Sequence, residues 1–196
     1  MSRTPTLPPS FAPEGSPPDQ PITSIWPLIK TWLRDILETV LPALFIVVLV
    51  NAFLAQATRV EGQSMQPSLH SDERLVIEKL SYHLHPPQRG DIIVLRLTDR
   101  STNPLIKRVI GLPGETVEIR DGRVYINGQV LEEPYVIQPA SGSMPPRVVP
   151  PGHVFVLGDN RDYSNDSRTF GEVPLENVLG RAWFRYWPLN EIGFVR

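Results

Sequence analysis

No cysteine occurs anywhere in the 196 residues, which excludes disulfides, thiolate metal sites and a cysteine nucleophile. Excess charge is also missing: 19 Lys and Arg stand against 21 Asp and Glu, a formal net charge of −2. Binding to nucleic acid needs a concentrated positive field, so no nucleic-acid partner is expected. After residue 60 there is no long amphipathic helix pattern, and internal repeats are not evident. Apolar residues are not scarce. At 41 % they are enough for a packed core, which excludes global disorder. The length fits one ordinary domain with accessory segments.

Proline is abundant, with 22 residues, and unevenly placed. Pro5, Pro8, Pro9, Pro13, Pro17, Pro18, Pro21 and Pro27 lie among Ser, Thr and Gly. Proline fixes φ and removes a donor, so residues 1–30 are expected to be a disordered tail, with a PxxP ligand role as the alternative. Then Thr39–Ala57 carries no charge. As a helix it spans roughly 28 Å, close to a bilayer's hydrocarbon thickness. Residues 31–58 are therefore expected to be a membrane anchor helix. Pro42 falls near the start of the run, where a missing N–H is tolerated best. Lys30 and Arg34 precede the run and Arg59 follows it, so charge alone orients it weakly. A buried core helix and a cleavable signal peptide ending at Ala55-Gln56-Ala57 are the alternatives. Against the second, the apolar run exceeds the usual stretch of roughly 7–15 residues.

From residue 59 onward the period changes to that of strands. Arg74–Glu78, Asp91–Arg96, Ile106–Ile110, Thr116–Arg120, Arg123–Ile126, His153–Leu157 and Ala182–Trp187 are short and rich in β-branched or aromatic residues. Asp121-Gly122 and Asn127-Gly128 are hairpin pairs, because Gly accepts the positive φ of a two-residue turn. The fold class is mainly β: residues 59–196 form a β domain, with a hairpin insertion at about 116–150, preceded by one transmembrane α-helix and the tail.

Three clusters hold the chemistry. The first is Val60 to Leu69, with Ser64 between Gly62 and Pro67; on its own this reads as a turn, and it is not a G-x-S-x-G elbow because Gln66 takes the last place. The second is Ile106-Lys107-Arg108-Val109-Ile110-Gly111-Leu112-Pro113-Gly114-Glu115. Burying an ammonium in an apolar strand is costly. Alternation leaves open which of Lys107 and Arg108 points inward, and spacing alone favours a solvated lysine. The third, Gly158 to Arg168, is dense in short polar side chains, which reads as loop chemistry. It lacks the Gly and terminal Glu of an EF-hand. His83-x-His85, beside Pro86-Pro87, reads as a loop rather than a metal pair.

Taken in order behind an apolar segment, these clusters closely resemble the bacterial type I signal peptidases, or leader peptidases. The blocks that carry the resemblance are Ser64-Met65-Gln66-Pro67-Ser68-Leu69, Arg89-Gly90-Asp91, Lys107 to Glu115 and Gly158 to Arg168. They cover about residues 36–188. The resemblance implies a membrane-bound endopeptidase with Ser64 as nucleophile and Lys107 as general base. It implies that Ser164 hydrogen-bonds the Lys107 amine, that Asp166 and Arg168 pair beneath the site, and that Asp159 fixes the loop. Gly62, Met65 and Pro67 would lie around substrate and oxyanion. Some members have a serine where Gly62 stands here, so the oxyanion should rest mainly on backbone N–H groups, that of Ser64 included. Tyr163 replaces a common Asn.

No cofactor or metal is implied. The expected partners are preprotein signal peptides and the lipid bilayer, with the N-terminus cytoplasmic and the catalytic domain on the trans side of a bacterial-type membrane. Trp183, Phe184, Tyr186 and Trp187 either rim that interface or fill the core. A free lysine titrates near about 10.4, so a base at residue 107 requires burial without a touching carboxylate. Self-cleavage after Ala57 would have to occur between molecules. The competing readings are a soluble self-cleaving repressor-type protease, which the anchor and absence of a basic domain oppose, and a membrane-tethered non-enzymatic β-domain adaptor.

Overall fold

The computed structural model describes residues 25–49, 55–97 and 103–195, and divides into two compact units, 1–44 and 45–196. The expected tail lies outside the described residues up to 24, but its last part is helical. Helix α1 spans Trp26–Asp35, with Pro27 in its first turn where no donor is needed. A π-helical turn, Ile36–Val40, leads into α2, Leu41–Leu49. That wide turn has a local cause. Pro42 brings a ring and no N–H, so the ladder slips one residue and the Leu41 N–H donates to Ile36 O. Every described residue from Ile25 to Val48 is exposed.

The expected helix 31–58 is corrected at both ends: it starts earlier, at Trp26, and does not reach residue 58, because Ala55–Arg59 is strand β1. No helix among the described residues is long and apolar enough to cross a membrane. The small Ala-Gln-Ala-Thr segment ran on from the apolar stretch in sequence. It pairs antiparallel with β2 (Arg74–Glu78), Ala57 opposite Val76. Cleavage after Ala57 would require β1 to leave this ladder.

The remaining strands are β3 (Ile92–Leu95), β4 (Leu105–Gly111), β5 (Thr116–Arg120), β6 (Arg123–Ile126), β7 (Gln129–Val130), β8 (Met144–Val148), β9 (His153–Leu157), β10 (Val173–Pro174), β11 (Val178–Trp187) and β12 (Gly193–Phe194). The larger sheet runs β1-β2-β11-β3-β4-β9-β10, with β12 added to β11; the smaller runs β7-β6-β5-β8. All pairings are antiparallel. The fold is thus mainly β with an N-terminal helix. Asp121 and Asn127 adopt φ of 48° and 50°, followed by Gly122 and Gly128 at 75° and 80°, the geometry of the tight turns joining β5–β6 and β6–β7. Strand β8 was not expected, since Pro145 and Pro146 interrupt it. Proline is tolerated there because β8 is a sheet edge.

Both faces of the central strands are covered. Ile92, Val94 and Ile106 pack with Leu75, Ile77 and Ala182, while Ile93, Leu95 and Val109 pack with Val154 and Val156. A third cluster joins Ile110, Phe155 and Leu157 to Val117, Ile119 and Val124 of the smaller sheet. Burial on both faces explains why β3 and the Val154–Leu157 part of β9 read as continuous apolar runs rather than alternating ones.

Candidate active site

Ser64 sits in a loop closed at its neck by main-chain hydrogen bonds. Val60 N–H donates to Glu73 O at 2.8 Å, and Asp72 N–H to Val60 O at 2.9 Å. Two side chains pin the loop from below. Met65 and Leu69 are buried among Leu75, Ile77, Val94 and Ile106. At roughly 1.5–3 kcal/mol for each fully buried side chain, this fixes the loop more firmly than its exposed Arg59–Asp72 ion pair. Gly62 takes a φ of +86°, a conformation that glycine adopts without strain, and its carbonyl accepts from Ser71 Oγ at 2.7 Å. Pro67 is exposed. Among the described residues the Ser64 N–H has no partner within the protein.

Lys107 projects from β4 to the hydroxyl. Its Nζ lies 2.8 Å from Ser64 Oγ and donates to Ile106 O at 2.9 Å. The residue is 2 % exposed and makes no ion pair. Burial pushes its pKa down from 10.5 to about 8, against the more distant Asp166 and Asp159 carboxylates, which pull it up. Desolvation therefore dominates, and a usable fraction of the amine is neutral near neutral pH.

The next residue along the strand is equally buried. Arg108, 2 % exposed, is bidentate to Asp159 at 2.8 and 2.7 Å. It also donates to Gly90 O at 2.9 Å and Ser68 Oγ at 3.1 Å, and stacks 4.0 Å from the Tyr135 ring centroid. One guanidinium thereby joins the Ser64 loop, the Arg89-Gly90-Asp91 turn, the Gly158–Arg168 loop and the segment after β7. Either partner of the Arg108–Asp159 pair alone would be an uncompensated buried charge, a loss of about 3–5 kcal/mol.

The Gly158–Arg168 loop closes over the main chain of Ser64. Asn160 N–H donates to Ser64 O at 3.0 Å. Fully buried Asp166 accepts from Gly158 N–H at 3.1 Å and pairs with Arg168 at 2.8 Å. Arg168 also donates to Arg161 O. Gly158 leaves no room for a side chain: a Cβ there would lie 2.3 Å from Ser164 Oγ and 2.5 Å from Ser64 O.

One expected contact is absent. Ser164 Oγ is buried without a partner, and Lys107 hydrogen-bonds Ser64 and Ile106 O rather than Ser164. The Ser164 hydroxyl faces Gly158, on the crowded inner side of the loop.

Sequence reasoning missed a second buried pair. Arg161 binds Glu133 at 3.1 and 2.5 Å and donates from Nε to Gly158 O at 3.1 Å, while Tyr135 donates to Glu133 at 3.1 Å. Arg161 lies inside the Gly158–Arg168 block, but nothing in the residues around Glu133 marks it as its partner.

Ser64 and Lys107 open into a pocket of about 170 Å³ bounded by Thr58, Arg59, Leu105 and Ile106. Elsewhere, His70, Glu73 and Glu191 bring possible ligand atoms within 4.8 Å of one another. There Arg185 already contacts Glu73 at 2.9 Å and Glu191 at 3.0 Å, supplying the positive charge itself.

A hydroxyl against a dehydrated amine, held by buried ion pairs, is an arrangement suited to acyl transfer. Comparison with known proteins agrees. The family model described as signal peptidase, peptidase S26, matches residues 33–187. A signal peptidase I of Leptolyngbya laminosa is 44 % identical over 185 residues, 91 % of each chain. A probable signal peptidase I-1 of Synechocystis sp. is 42 % identical over 182 residues, 89 % of this chain and 91 % of that one. A solved signal peptidase I of Enterococcus faecalis V583 is 40 % identical, covering 50 % of this chain and 97 % of that one with a TM-score of 0.45. With the family model spanning most of its length, this chain belongs to the signal peptidases of family S26 and is a serine endopeptidase of that type.

Proposed function

We propose that the protein removes N-terminal signal peptides from exported preproteins through a Ser64 nucleophile and a Lys107 general base. The observation that carries this is the 2.8 Å approach of Lys107 Nζ to Ser64 Oγ with no carboxylate paired to the amine. Neutral Nζ takes the Oγ proton as Oγ attacks the scissile carbonyl carbon. The oxyanion accepts the unpartnered Ser64 N–H, a kind of contact that contributes about 3–4 kcal/mol to the transition state. On collapse the C–N bond breaks, and the Lys107 ammonium returns its proton to the leaving amine. A water deprotonated by the same amine then attacks the Ser64 ester, releasing the signal peptide and regenerating the hydroxyl. In this reading Asp159, Asp166 and Arg168 hold the loop in place, and the pocket of about 170 Å³ receives a small side chain such as Ala.

The lipid bilayer is proposed as the second partner, with the N-terminus cytoplasmic and the catalytic domain on the trans side. Support comes from the uncharged Leu41–Val48 stretch, exposed throughout, and from Trp183 and Trp187 of β11, 43 % and 47 % exposed. Large exposed apolar surface of this kind marks a contact site.

The test is cleavage of a detergent-solubilised preprotein by wild type, Ser64→Ala and Lys107→Ala. Both variants are expected to lose activity while remaining folded. Activity retained in either would refute the dyad, and none in wild type would favour the adaptor reading.

A further inference from the structure

Two depressions lie to either side of the loop that carries Ser64. The first, already described, holds its Oγ and Lys107. The second is larger, about 380 Å³, and begins at Gln63 and Gln66, which flank the nucleophile in the loop. It continues past Asn160 to Ile137, Gln138 and Tyr163, and no residue lines both depressions. Hydrogen bonding ties both to the serine: Oγ meets Lys107 in the first, while Ser64 O accepts the N–H of Asn160, a residue that lines the second.

A peptide bond cut at Ser64 belongs to a chain that continues in both directions at about 3.3 Å per residue. The first depression is small and partly walled by Leu105 and Ile106, which suits the small side chain before the bond. The residues after the bond must leave along the other side. There the carboxamides of Gln63, Gln66, Gln138 and Asn160 can serve the donors and acceptors of an extended main chain. The fixed charges bordering the groove are already committed, Asp159 to Arg108 and Arg161 to Glu133. The titratable His70 lies at its edge, 3.5 Å from Glu73. Two large apolar side chains of the rim are also uncovered, Tyr163 at 72 % and Ile137 at 74 % exposed.

We infer that this groove binds the first residues of the mature protein, with Tyr163 and Ile137 selecting an apolar side chain there. The inference rests on the Ser64–Lys107 reading and extends it to the departing half of the substrate.

The test uses the full chain in detergent and peptides with a constant signal-side half, carrying Leu, Gly, Asp or Lys at the second to fourth mature positions. In wild type, Leu is expected to exceed Gly in kcat/KM by about fivefold at one of these positions, the worth of partly covering one aliphatic side chain. Tyr163→Ser with Ile137→Ser should bring that ratio close to one. Both sites are exposed, and the ratio within one variant cancels any general loss of activity. Independently, Gln138→Lys should raise the Asp-to-Lys ratio about tenfold. A flat mature-side profile, ratios unmoved by these substitutions, or altered preference on the signal side would overturn the inference alone. Cleavage surviving Ser64→Ala would overturn the dyad reading and this one with it.

Discussion

Lowering the pH is the sharpest perturbation of the proposed mechanism, because it removes the base without changing a residue. With the Lys107 pKa at about 8, the neutral fraction of the amine is about 1 % at pH 6, about 10 % at pH 7 and about 90 % at pH 9. The acid limb of log kcat/KM should therefore climb with a slope of about one and level off above roughly pH 9, a rise near ninetyfold from pH 6. Burial lowers the pKa, while Asp166 and Asp159 raise it. Removing a nearby negative charge should thus lower it further: Asp166→Asn moves the limb to more acid pH even as its plateau falls, through loss of the Arg168 pair and the contact to Gly158. Initial rates on one peptide across pH 5.5–10 provide the assay, with a pH-insensitive substrate. A midpoint near about 6.5, that of a histidine, a limb that moves upward in Asp166→Asn, or a flat profile would refute the assignment.

Gly158→Ala should cost about a hundredfold in kcat, since the added methyl would lie 2.5 Å from Ser64 O and push the Ser64 backbone aside; near-wild-type turnover by a folded variant would contradict the close approach. Lys107→Met should abolish cleavage yet stabilise the protein. The folded-state pKa lies below the unfolded value, so the desolvation cost is fully present below about pH 8 and disappears as pH rises toward 10.5. The relief is worth up to about 3 kcal/mol at pH 7, less the lost hydrogen bonds. Urea unfolding at pH 7 and pH 10 measures it, and equal midpoint changes at the two pH values would count against a dehydrated amine.

Strands were legible where local chemistry decides them. Arg74–Glu78, Thr116–Arg120, Arg123–Ile126 and His153–Leu157 appear with the bounds their β-branched runs suggest, and Asp-Gly and Asn-Gly place their turns. Strands that depend on a partner were not. Ala55–Arg59 follows an apolar run and becomes a strand by pairing with β2, and Met144–Val148 hides behind two prolines that an edge tolerates. Ser64 and Lys107 were marked by the ordered motifs rather than by periodicity, which left both cations of β4 open. The answer is that both are inside, because β4 lies mid-sheet with each face covered. Glu133 is linked to Arg161 across a distance in sequence that no local pattern encodes.

Under the proposed mechanism, the adjacency of Lys107 and Arg108 on β4 makes catalysis hostage to strand alignment. Neighbours on a strand face opposite ways, so a slip of one position would exchange them. The hydroxyl would then confront a guanidinium, which does not surrender its proton in proteins, and the aspartate would receive an ammonium unable to reach it with two parallel donors. Such a chain would be folded and inert. The alignment is secured on both flanks, by Ile93 opposite Lys107 and Leu157 opposite Arg108, with an irregularity between Val109 and Gly111.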